Sequence, residues 1–352
     1  MGNDSGEREA MIFIRTDSNS VISGGHVMRC IAIAQALVEK GKQVCFLLSD
    51  DNAADILEEK NLSHVVLHTN WENLEEGVES TIELMKDYKE SILLIDSYNV
   101  TKRYVELVKR WGIVGYLGSK KENLGNIDFI INYSLKIDYD FYKKNYEKRT
   151  KLLLGPEYAP LRKEFQTTIP MYREEVKNIL ITTGNTSKDN AIEKILLAIY
   201  SEISENIIIN VVIGRMFENV EILYKRYNAI QTVHLYENVT ELAPLMKKCD
   251  LAISANGTTV YELAALGIPI ISFAMVEEQV ESAEALSAAG VVAYCGKYYS
   301  DEELCVNQIV KKVKYFIEHN GERIHMAQKA HAKIDGNGCR RIQAFIEKIK
   351  KE

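Results

Sequence analysis

The amino-acid sequence predicts an α/β protein made of two doubly wound domains. Short apolar runs alternate with longer amphipathic stretches, which is the pattern of parallel strands joined by helices. The alternation stops after about residue 143 and restarts near residue 177. The length of 352 residues also exceeds what a single hydrophobic core usually supports. We therefore expect one domain over residues 11–165, a second over 175–334, and a C-terminal helix over 335–352 that could return to the first domain.

In the first half, the apolar runs predict strands at Met11–Arg15, Gln43–Leu48, His64–His68, Ile92–Ile95, Ile113–Leu117 and Phe129–Ile131. The amphipathic stretches between them predict helices at Val27–Lys40, Ala53–Lys60, Leu74–Tyr88 and Arg103–Gly112. The segment Lys143–Arg173 is rich in Pro, Lys, Arg and Tyr, and it predicts an irregular connection to the second half.

In the second half, the same reasoning predicts strands at Lys177–Thr182, Ile207–Ile213, Thr232–Leu235, Leu251–Ser254, Ile270–Phe273 and Val291–Tyr294. It predicts helices at Asn190–Glu202, Glu218–Tyr227, Glu241–Cys249, Thr259–Leu266 and Val280–Ala289, followed by a polar helical tail. Two such domains in tandem predict a ligand site in a cleft where the carboxyl ends of the two sheets face each other.

Composition excludes several classes of function. The formal net charge is −7, which argues against a protein that neutralises nucleic-acid phosphates. No apolar run is long enough to span a bilayer and the N-terminal decapeptide lacks an apolar signal region, so we expect a cytoplasmic protein. The six cysteines are scattered without a Cys-x-x-Cys pair, which is typical of reduced thiols. The sequence predicts no oligomeric state.

A glycine-rich turn, Ser23-Gly24-Gly25-His26, lies between the first predicted strand and the first predicted helix. Glycines at such a turn let backbone amides approach a ligand, and the helix N-terminus favours a phosphate or a developing oxyanion. His26 at this turn could act as a general base. The alternative is a structural role for His26, as a helix cap or a partner of a backbone carbonyl.

A second strand-to-helix turn occupies Ser254–Glu262. Its small and hydroxyl residues could cap the helix and leave amides free for a diphosphate, while Glu262 could accept both hydroxyls of a ribose. The alternative is an ordinary helix cap in which Glu262 interacts with the helix dipole.

Four motifs in order resemble those of a known family. They are Arg15-Thr16-Asp17-Ser18 through His26-Val27-Met28-Arg29, then Leu154-Gly155-Pro156-Glu157-Tyr158-Ala159-Pro160-Leu161-Arg162, then Ile253 to Gln279, and finally Asp335-Gly336. The chain resembles the GT-B hydrolases that remove UDP from a diacetamido-trideoxy sugar in pseudaminic acid biosynthesis. This resemblance covers nearly the whole chain and implies the GT-B fold, in which two Rossmann-like domains face each other across a cleft.

The resemblance also implies the roles of individual residues. His26 would activate a water that attacks the anomeric carbon with inversion, and UDP would be released. The implied nucleotide-binding residues are Asn256, Gly257, Thr258, Thr259 and Glu262. The implied substrate-binding residues on the sugar side are Arg15, Asp17, Gly24, Gly25, Tyr98 and Gln279. The resemblance implies neither a metal ion nor another cofactor, and the expected partner is a UDP-sugar.

The chain departs from the family pattern on the sugar side. Asp96-Ser97-Tyr98-Asn99 stands where the family commonly has Asp-His-Tyr-Gly, and Gly118-Ser119-Lys120 stands where paired aspartates are usual. Glu278 replaces an asparagine. Sugar recognition can therefore differ, and two alternatives to hydrolysis stay open: transfer of the sugar to an acceptor, and binding of a sugar nucleotide without turnover.

Overall fold

A computed structural model describes residues 10–19, 25–88, 90–146, 149–166, 169–184, 190–203, 205–214, 217 and 220–349. The chain divides into two compact units: the first contains the residues up to Arg162 together with those from Asn337 onward, and the second is Lys163–Gly336. The division falls in the segment that the sequence predicts to be a connection. Within the described ranges, no helix is long and apolar enough to cross a membrane.

The first unit is a parallel sheet covered by helices. Its strands are β1 (Met11–Thr16), β2 (Gln43–Leu48), β3 (Ser63–Val66), β4 (Ser91–Asp96), β5 (Ile113–Leu117), β6 (Phe129–Asn132) and β7 (Lys151–Leu154), in the order β3-β2-β1-β4-β5-β6-β7. Its helices before the connection are α1 (Gly25–Val38), α2 (Ala54–Glu59), α3 (Val78–Lys86), α4 (Lys102–Val108) and α5 (Tyr139–Asn145). Short 3₁₀ helices cover Leu74–Gly77 and Pro156–Tyr158.

Alternating side chains of the first sheet enter two separate cores. On β1, Ile12 and Ile14 pack with the apolar face of α1, whereas Phe13 belongs to the core on the opposite face of the sheet. Strands covered on both faces read as continuous apolar runs, because neither face meets water. This is why the strand positions could be predicted from the sequence.

The second unit repeats the architecture. Its strands are β8 (Asn178–Thr182), β9 (Ile208–Ile213), β10 (Val233–Glu237), β11 (Leu251–Ala255), β12 (Ile270–Ala274) and β13 (Ala293–Lys297), in the order β10-β9-β8-β11-β12-β13. Its helices are α6 (Ala191–Glu202), α7 (Val220–Tyr227), α8 (Ala243–Met246), α9 (Thr258–Ala265), α10 (Val280–Ala288), α11 (Glu302–Glu318) and α12 (Asn320–Lys333). Short 3₁₀ helices cover Lys163–Phe165 and Glu277–Gln279.

Both sheets reverse their strand order beside their first strand. The reversal lies between β1 and β4 in the first unit and between β8 and β11 in the second. In open parallel sheets, ligands bind outside the carboxyl ends of the strands at such a reversal. The residues that follow β1, β4 and β11 are therefore the first places to look for a site.

The structure corrects several predicted elements. The connection predicted as irregular contains β7, a four-residue strand at the sheet edge, and the end of α5. Lys151 and Leu152 of β7 are exposed, so this strand lacks the buried pattern that identified the others. The strand predicted at His64–His68 ends at Val66, and His68 adopts a left-handed backbone conformation. The segment Leu74–Tyr88 begins as a 3₁₀ helix rather than an α-helix.

The last helix, α13 (Gly338–Ile346), belongs to the first unit and packs against α1. Cys339, Ile342 and Ile346 enter the core that α1 shares with the sheet. The helix begins very close to the backbone of Ala159, because a Cβ atom on Gly338 would lie 2.1 Å from the carbonyl oxygen of that residue. Glycine is therefore the residue that lets α13 dock here.

We expect Gly338→Ala to destabilise the first unit by about 1–3 kcal/mol, because the added methyl group overlaps backbone atoms that cannot move alone. Both tryptophans of the chain, Trp71 and Trp111, lie in this unit, so their fluorescence during urea unfolding reports on it. Gly321→Ala is the matched control: a Cβ on Gly321, in the first turn of α12, meets open space. An equal urea midpoint for Gly338→Ala and the wild type would contradict the packing described for α13.

Candidate active site

Three residues of α1 converge on the last residue of β4. His26, Arg29 and Cys30 are spaced by three and four positions, so they lie on one face of the helix. Asp96 ends β4 and lies beside Thr16, the last residue of β1, in the parallel ladder. The start of α1 thus places this helix face at the strand reversal of the first unit.

Asp96 accepts hydrogen bonds on both carboxylate oxygens. Its Oδ1 lies 2.6 Å from Nδ1 of His26 and also accepts from Nη2 of Arg29. Its Oδ2 accepts from Nε of Arg29 at 2.6 Å and from Sγ of Cys30 at 3.3 Å. The fifth side chain of the cluster is Tyr133, whose hydroxyl accepts from Nη1 of Arg29 at 2.9 Å. Asp96 itself is fully buried.

The donors around Asp96 keep it ionised. Burial alone would raise the pKa of the Asp96 carboxyl, but the Arg29 guanidinium and the hydrogen bond from His26 lower that pKa to about 2. Burial raises the pKa of the Cys30 thiol, and the negative charge of Asp96 raises it further. The thiol is thus a donor and the carboxylate an acceptor at neutral pH.

An ionised Asp96 determines which nitrogen of His26 carries the proton. A carboxylate accepts hydrogen bonds and cannot donate them, so Nδ1 of His26 must be the protonated nitrogen. In the neutral ring, Nε2 then holds the free electron pair. A histidine oriented in this way by a carboxylate can remove a proton from a water molecule or a hydroxyl group.

Tyr98 lies against the imidazole of His26. The two ring centroids are 4.6 Å apart at an interplanar angle of 75°, and 59% of the Tyr98 side chain is exposed. The loop that carries Tyr98 is held by Lys120, whose Nζ donates to the carbonyl oxygens of Tyr98 at 3.1 Å and Val100 at 2.8 Å. Asn99 also donates to the carbonyl oxygen of Trp71. This exposed ring can therefore contact a molecule that approaches His26.

Arg15 and Asp17 form a separate buried network. Their exposed fractions are 1% and 4%, and Nη1 of Arg15 lies 2.6 Å from Oδ2 of Asp17. Ser49 after β2 completes the network: its backbone N–H donates to Oδ1 of Asp17 at 2.6 Å, and its hydroxyl accepts from Arg15. These predicted sugar-side residues thus bond to each other and join β1 to β2. Gly25 begins α1, whereas Gly24 lies outside the described residues.

In the second unit, the predicted nucleotide residues lie at the start of α9. Asn256 follows β11, and Gly257 is the N-cap of the helix. No side chain caps this helix among the described contacts, Thr258 is exposed, and a Cβ on Gly257 would meet open space. An uncapped and accessible helix N-terminus can bind an anion through its backbone N–H groups. Thr259 is half-buried there, and Glu262, one turn further along, is 8% exposed.

Gln279 is brought to the same end of the second sheet. Its backbone carbonyl accepts from Nδ2 of Asn256 at 3.2 Å, and its side-chain Oε1 accepts from the backbone N–H of Met275 at 2.8 Å. The Oδ1 of Asn256 in turn accepts from the hydroxyl of Ser272. The amide group of Gln279 thus retains its N–H₂ end for another partner. Among the residues that the structure describes, no group of three His, Cys, Asp or Glu side chains could hold a metal ion.

The sequence did not identify Asp96, Arg29, Cys30 or Tyr133 as site residues. Asp96 is separated from its α1 partners by 66 to 70 positions, so no local spacing connects them. Two signals were available: Asp96 is a charged residue at the carboxyl end of a central apolar strand, and Asp96 and Arg29 both lie in segments that align with motifs of the family that the chain resembles.

Comparison with protein families gives a match of residues 156–326 to a protein family of unknown function, DUF354. An uncharacterized protein of Methanocaldococcus jannaschii, MJ1062, is 26% identical over 277 residues, which are 74% of this chain and 54% of that protein. The chain thus spans about half the length of that relative.

Two relatives match over most of their own lengths. The spore coat polysaccharide biosynthesis protein SpsG of Bacillus subtilis is 24% identical over 338 residues, covering 92% of this chain and 94% of SpsG. The UDP-2,4-diacetamido-2,4,6-trideoxy-beta-L-altropyranose hydrolase of Campylobacter jejuni is 24% identical over 280 residues, covering 79% of this chain and 97% of that enzyme. The resemblance predicted from the motifs is confirmed as sequence similarity.

Solved structures confirm the fold class. MurG of Acinetobacter baumannii aligns with 97% of this chain and 100% of its own, at a TM-score of 0.67 and 15% identity. The spinosyn rhamnosyltransferase SpnG, complexed with thymidine diphosphate, aligns with 96% of this chain and 100% of its own, at a TM-score of 0.64 and 14% identity. The chain therefore has the Rossmann-like α/β units of the GT-B fold.

We expect Asp96→Asn to destabilise the first unit by about 3–5 kcal/mol at pH 6, because it leaves the buried Arg29 guanidinium without its counter-ion. The pKa of Asp96 is about 2 in the folded state, below its ordinary value of about 4. Its charge therefore stabilises the fold above pH 4, and this stabilisation is lost as the pH falls toward 2.

The difference in unfolding free energy between the wild type and Asp96→Asn should narrow by about 1 kcal/mol from pH 6 to pH 3. Urea titrations followed by tryptophan fluorescence measure this difference. The contributions of the other carboxyl groups to the pH dependence cancel in it, because both proteins contain those groups. A difference that stays constant over this range would mean that the pKa of Asp96 is not lowered in the folded protein.

Proposed function

We propose that this protein hydrolyses a UDP-linked diacetamido-trideoxy sugar and releases UDP and the free sugar with inversion at the anomeric carbon. In this proposal the first unit supplies the general base, His26, and the second unit supplies the nucleotide contacts at the start of α9. The observation that carries the proposal is the contact between Nδ1 of His26 and the ionised Asp96, which directs the electron pair of Nε2 away from the carboxylate.

The reaction needs one proton acceptor and one stabilised leaving group. A water oxygen forms a bond to the anomeric carbon while the bond from that carbon to the β-phosphate oxygen breaks. The electron pair of the broken bond stays on UDP, and the proton of the water moves to Nε2 of His26. The imidazolium that forms is stabilised by Asp96, as is usual for a histidine base paired with a carboxylate.

The leaving diphosphate would be held by α9. Its uncapped N-terminus presents backbone N–H groups and the positive end of the helix dipole, which stabilise an anion. The open space at Gly257 lets phosphate oxygens approach the backbone closely. Glu262, one turn along the helix, would accept hydrogen bonds from the ribose hydroxyls, and the N–H₂ group of Gln279 would contact the sugar.

The names of the relatives support this choice of substrate. The Campylobacter relative, matched over 97% of its length, is named as the hydrolase of this sugar nucleotide, and the Bacillus relative is named for polysaccharide biosynthesis. Two of the positions that differ from the family pattern, Ser97 and Asn99, lie on the loop that places Tyr98 against His26. A difference in the sugar is therefore expected to be recognised at this loop.

We expect the wild type to release UDP and free sugar from UDP-2,4-diacetamido-2,4,6-trideoxy sugars when no acceptor is present. In H₂¹⁸O the label should enter the sugar and not UDP, because the attacked atom is carbon. His26→Asn should lower turnover by about 10²–10⁴ while calorimetry shows an unchanged affinity for UDP, because the base does not bind the nucleotide.

Two variants complete this experiment. His64→Asn, on β3 of the same unit, is the histidine control and should retain wild-type turnover. Glu262→Gln should instead weaken UDP binding by about 10- to 100-fold, because a charged hydrogen-bond acceptor is lost. Hydrolysis that survives in His26→Asn would refute the role of the base, whereas product formed only with an added acceptor would identify a transferase.

A further inference from the structure

Arg29 and His26 compete for the same carboxylate oxygen. Both Nη2 of Arg29 and Nδ1 of His26 contact Oδ1 of Asp96, and these two nitrogens lie only 3.0 Å apart. Nδ1 donates to Asp96, so the contact between the two nitrogens is not a hydrogen bond. When the imidazole is protonated, this contact brings two positive groups together inside the unit.

Arg29 is held in this position by more than Asp96. Its Nε donates to Oδ2 of Asp96, so the guanidinium binds the carboxylate through two nitrogens. Its Nη1 donates to the hydroxyl of Tyr133, and its guanidinium carbon lies 5.7 Å from the centre of that ring. Arg29 therefore cannot turn away from His26 without losing three hydrogen bonds.

The charges around His26 can be summed from the elements packed against it. The titratable or charged side chains near this cluster are Arg29 and Cys30 on α1, Asp96 on β4, Tyr98 on the following loop, Tyr116 on β5 and Tyr133 after β6. Burial raises the pKa of the Tyr98 and Tyr116 hydroxyls and of the Cys30 thiol, so these three groups are neutral at pH 7. Arg29 and Asp96 carry opposite charges of equal size.

We propose that Arg29 is a positioning residue whose guanidinium offsets the charge of Asp96 beside the imidazole of His26. Without this arginine, the negative charge of Asp96 would act on His26 alone. The protonated form of the imidazole would then persist to a higher pH. The inference rests on the proposed function for its catalytic meaning, since a base must be unprotonated to act. Its physical content, the effect of Arg29 on the titration of His26, can be measured without any substrate.

The test is a nuclear magnetic resonance titration of the intact chain labelled with ¹⁵N-histidine, with His26→Asn used to assign the His26 signal. Arg29→Gln should raise the midpoint of the His26 titration by about one pH unit or more, because the nearby positive charge is lost. Arg29→Lys keeps the charge and should stay within a few tenths of a unit of the wild type. Arg103→Gln, which removes an exposed arginine of α4, is the control and should leave the midpoint unchanged.

Asp96→Asn should shift the midpoint of the His26 titration in the opposite direction to Arg29→Gln. It leaves Arg29 beside Nδ1 without the carboxylate, so the His26 midpoint should fall below that of the wild type. An unchanged or lowered midpoint in folded Arg29→Gln would overturn the inference. If Arg29→Gln does not fold, an unchanged or raised midpoint in Asp96→Asn would overturn it.

The activity profile separates this inference from the proposed function. In Arg29→Gln, the acid side of the kcat profile should move to higher pH by the same amount as the titration, and turnover should recover at alkaline pH. A purely structural role for Arg29 would lower turnover at every pH and would not be rescued by Arg29→Lys. If no UDP-sugar is hydrolysed but the titrations shift as stated, the proposed function fails and the inference stands; the reverse pattern rejects the inference alone.

Discussion

The buried negative charge of Asp96 is the constraint on which the rest of the first unit's site depends. A carboxylate this deeply buried is stable only when donors surround it, because removal from water disfavours the charged form. The donors all come from one helix face, which carries His26, Arg29 and Cys30. These hydrogen bonds therefore connect the start of α1 to the end of β4. Because the buried carboxylate needs donors, one of them also orients the candidate base, His26.

The fold could be predicted because both sheets are covered on two faces. Their central strands are continuous apolar runs, and the glycine-containing turns before α1 and α9 are visible in the sequence. The short edge strand β7 was missed because its exposed Lys151 and Leu152 break that pattern. Helix α5 was missed although Asp138 caps it by accepting from the N–H of Phe141. Such short elements depend on their neighbours more than on their own periodicity.

The site could be predicted only in its local parts. His26 and the start of α9 each belong to a short motif whose residues are adjacent in sequence, so these two motifs were recognisable. The partners of His26 depend on the order of the strands, because β1 and β4 become neighbours only in the folded sheet. The same is true of Arg15 and Asp17: the motif placed them on the sugar side, but their contact with Ser49 after β2 emerges only from the strand pairing. The strand order therefore determines contacts that residue spacing in the sequence cannot predict.

The tautomer of His26 in the unliganded wild type tests the role of this histidine as a base most directly. The imidazole ¹⁵N chemical shifts of the labelled chain, measured at a pH where the ring is neutral, distinguish a proton on Nδ1 from one on Nε2. We expect Nδ1 to carry the proton, since it donates to Asp96, and Nε2 to be free to accept one. A proton found on Nε2 would contradict this assignment, because the free electron pair would then lie on Nδ1, which faces Asp96 and Arg29, and Nε2 could not accept a proton from an attacking water.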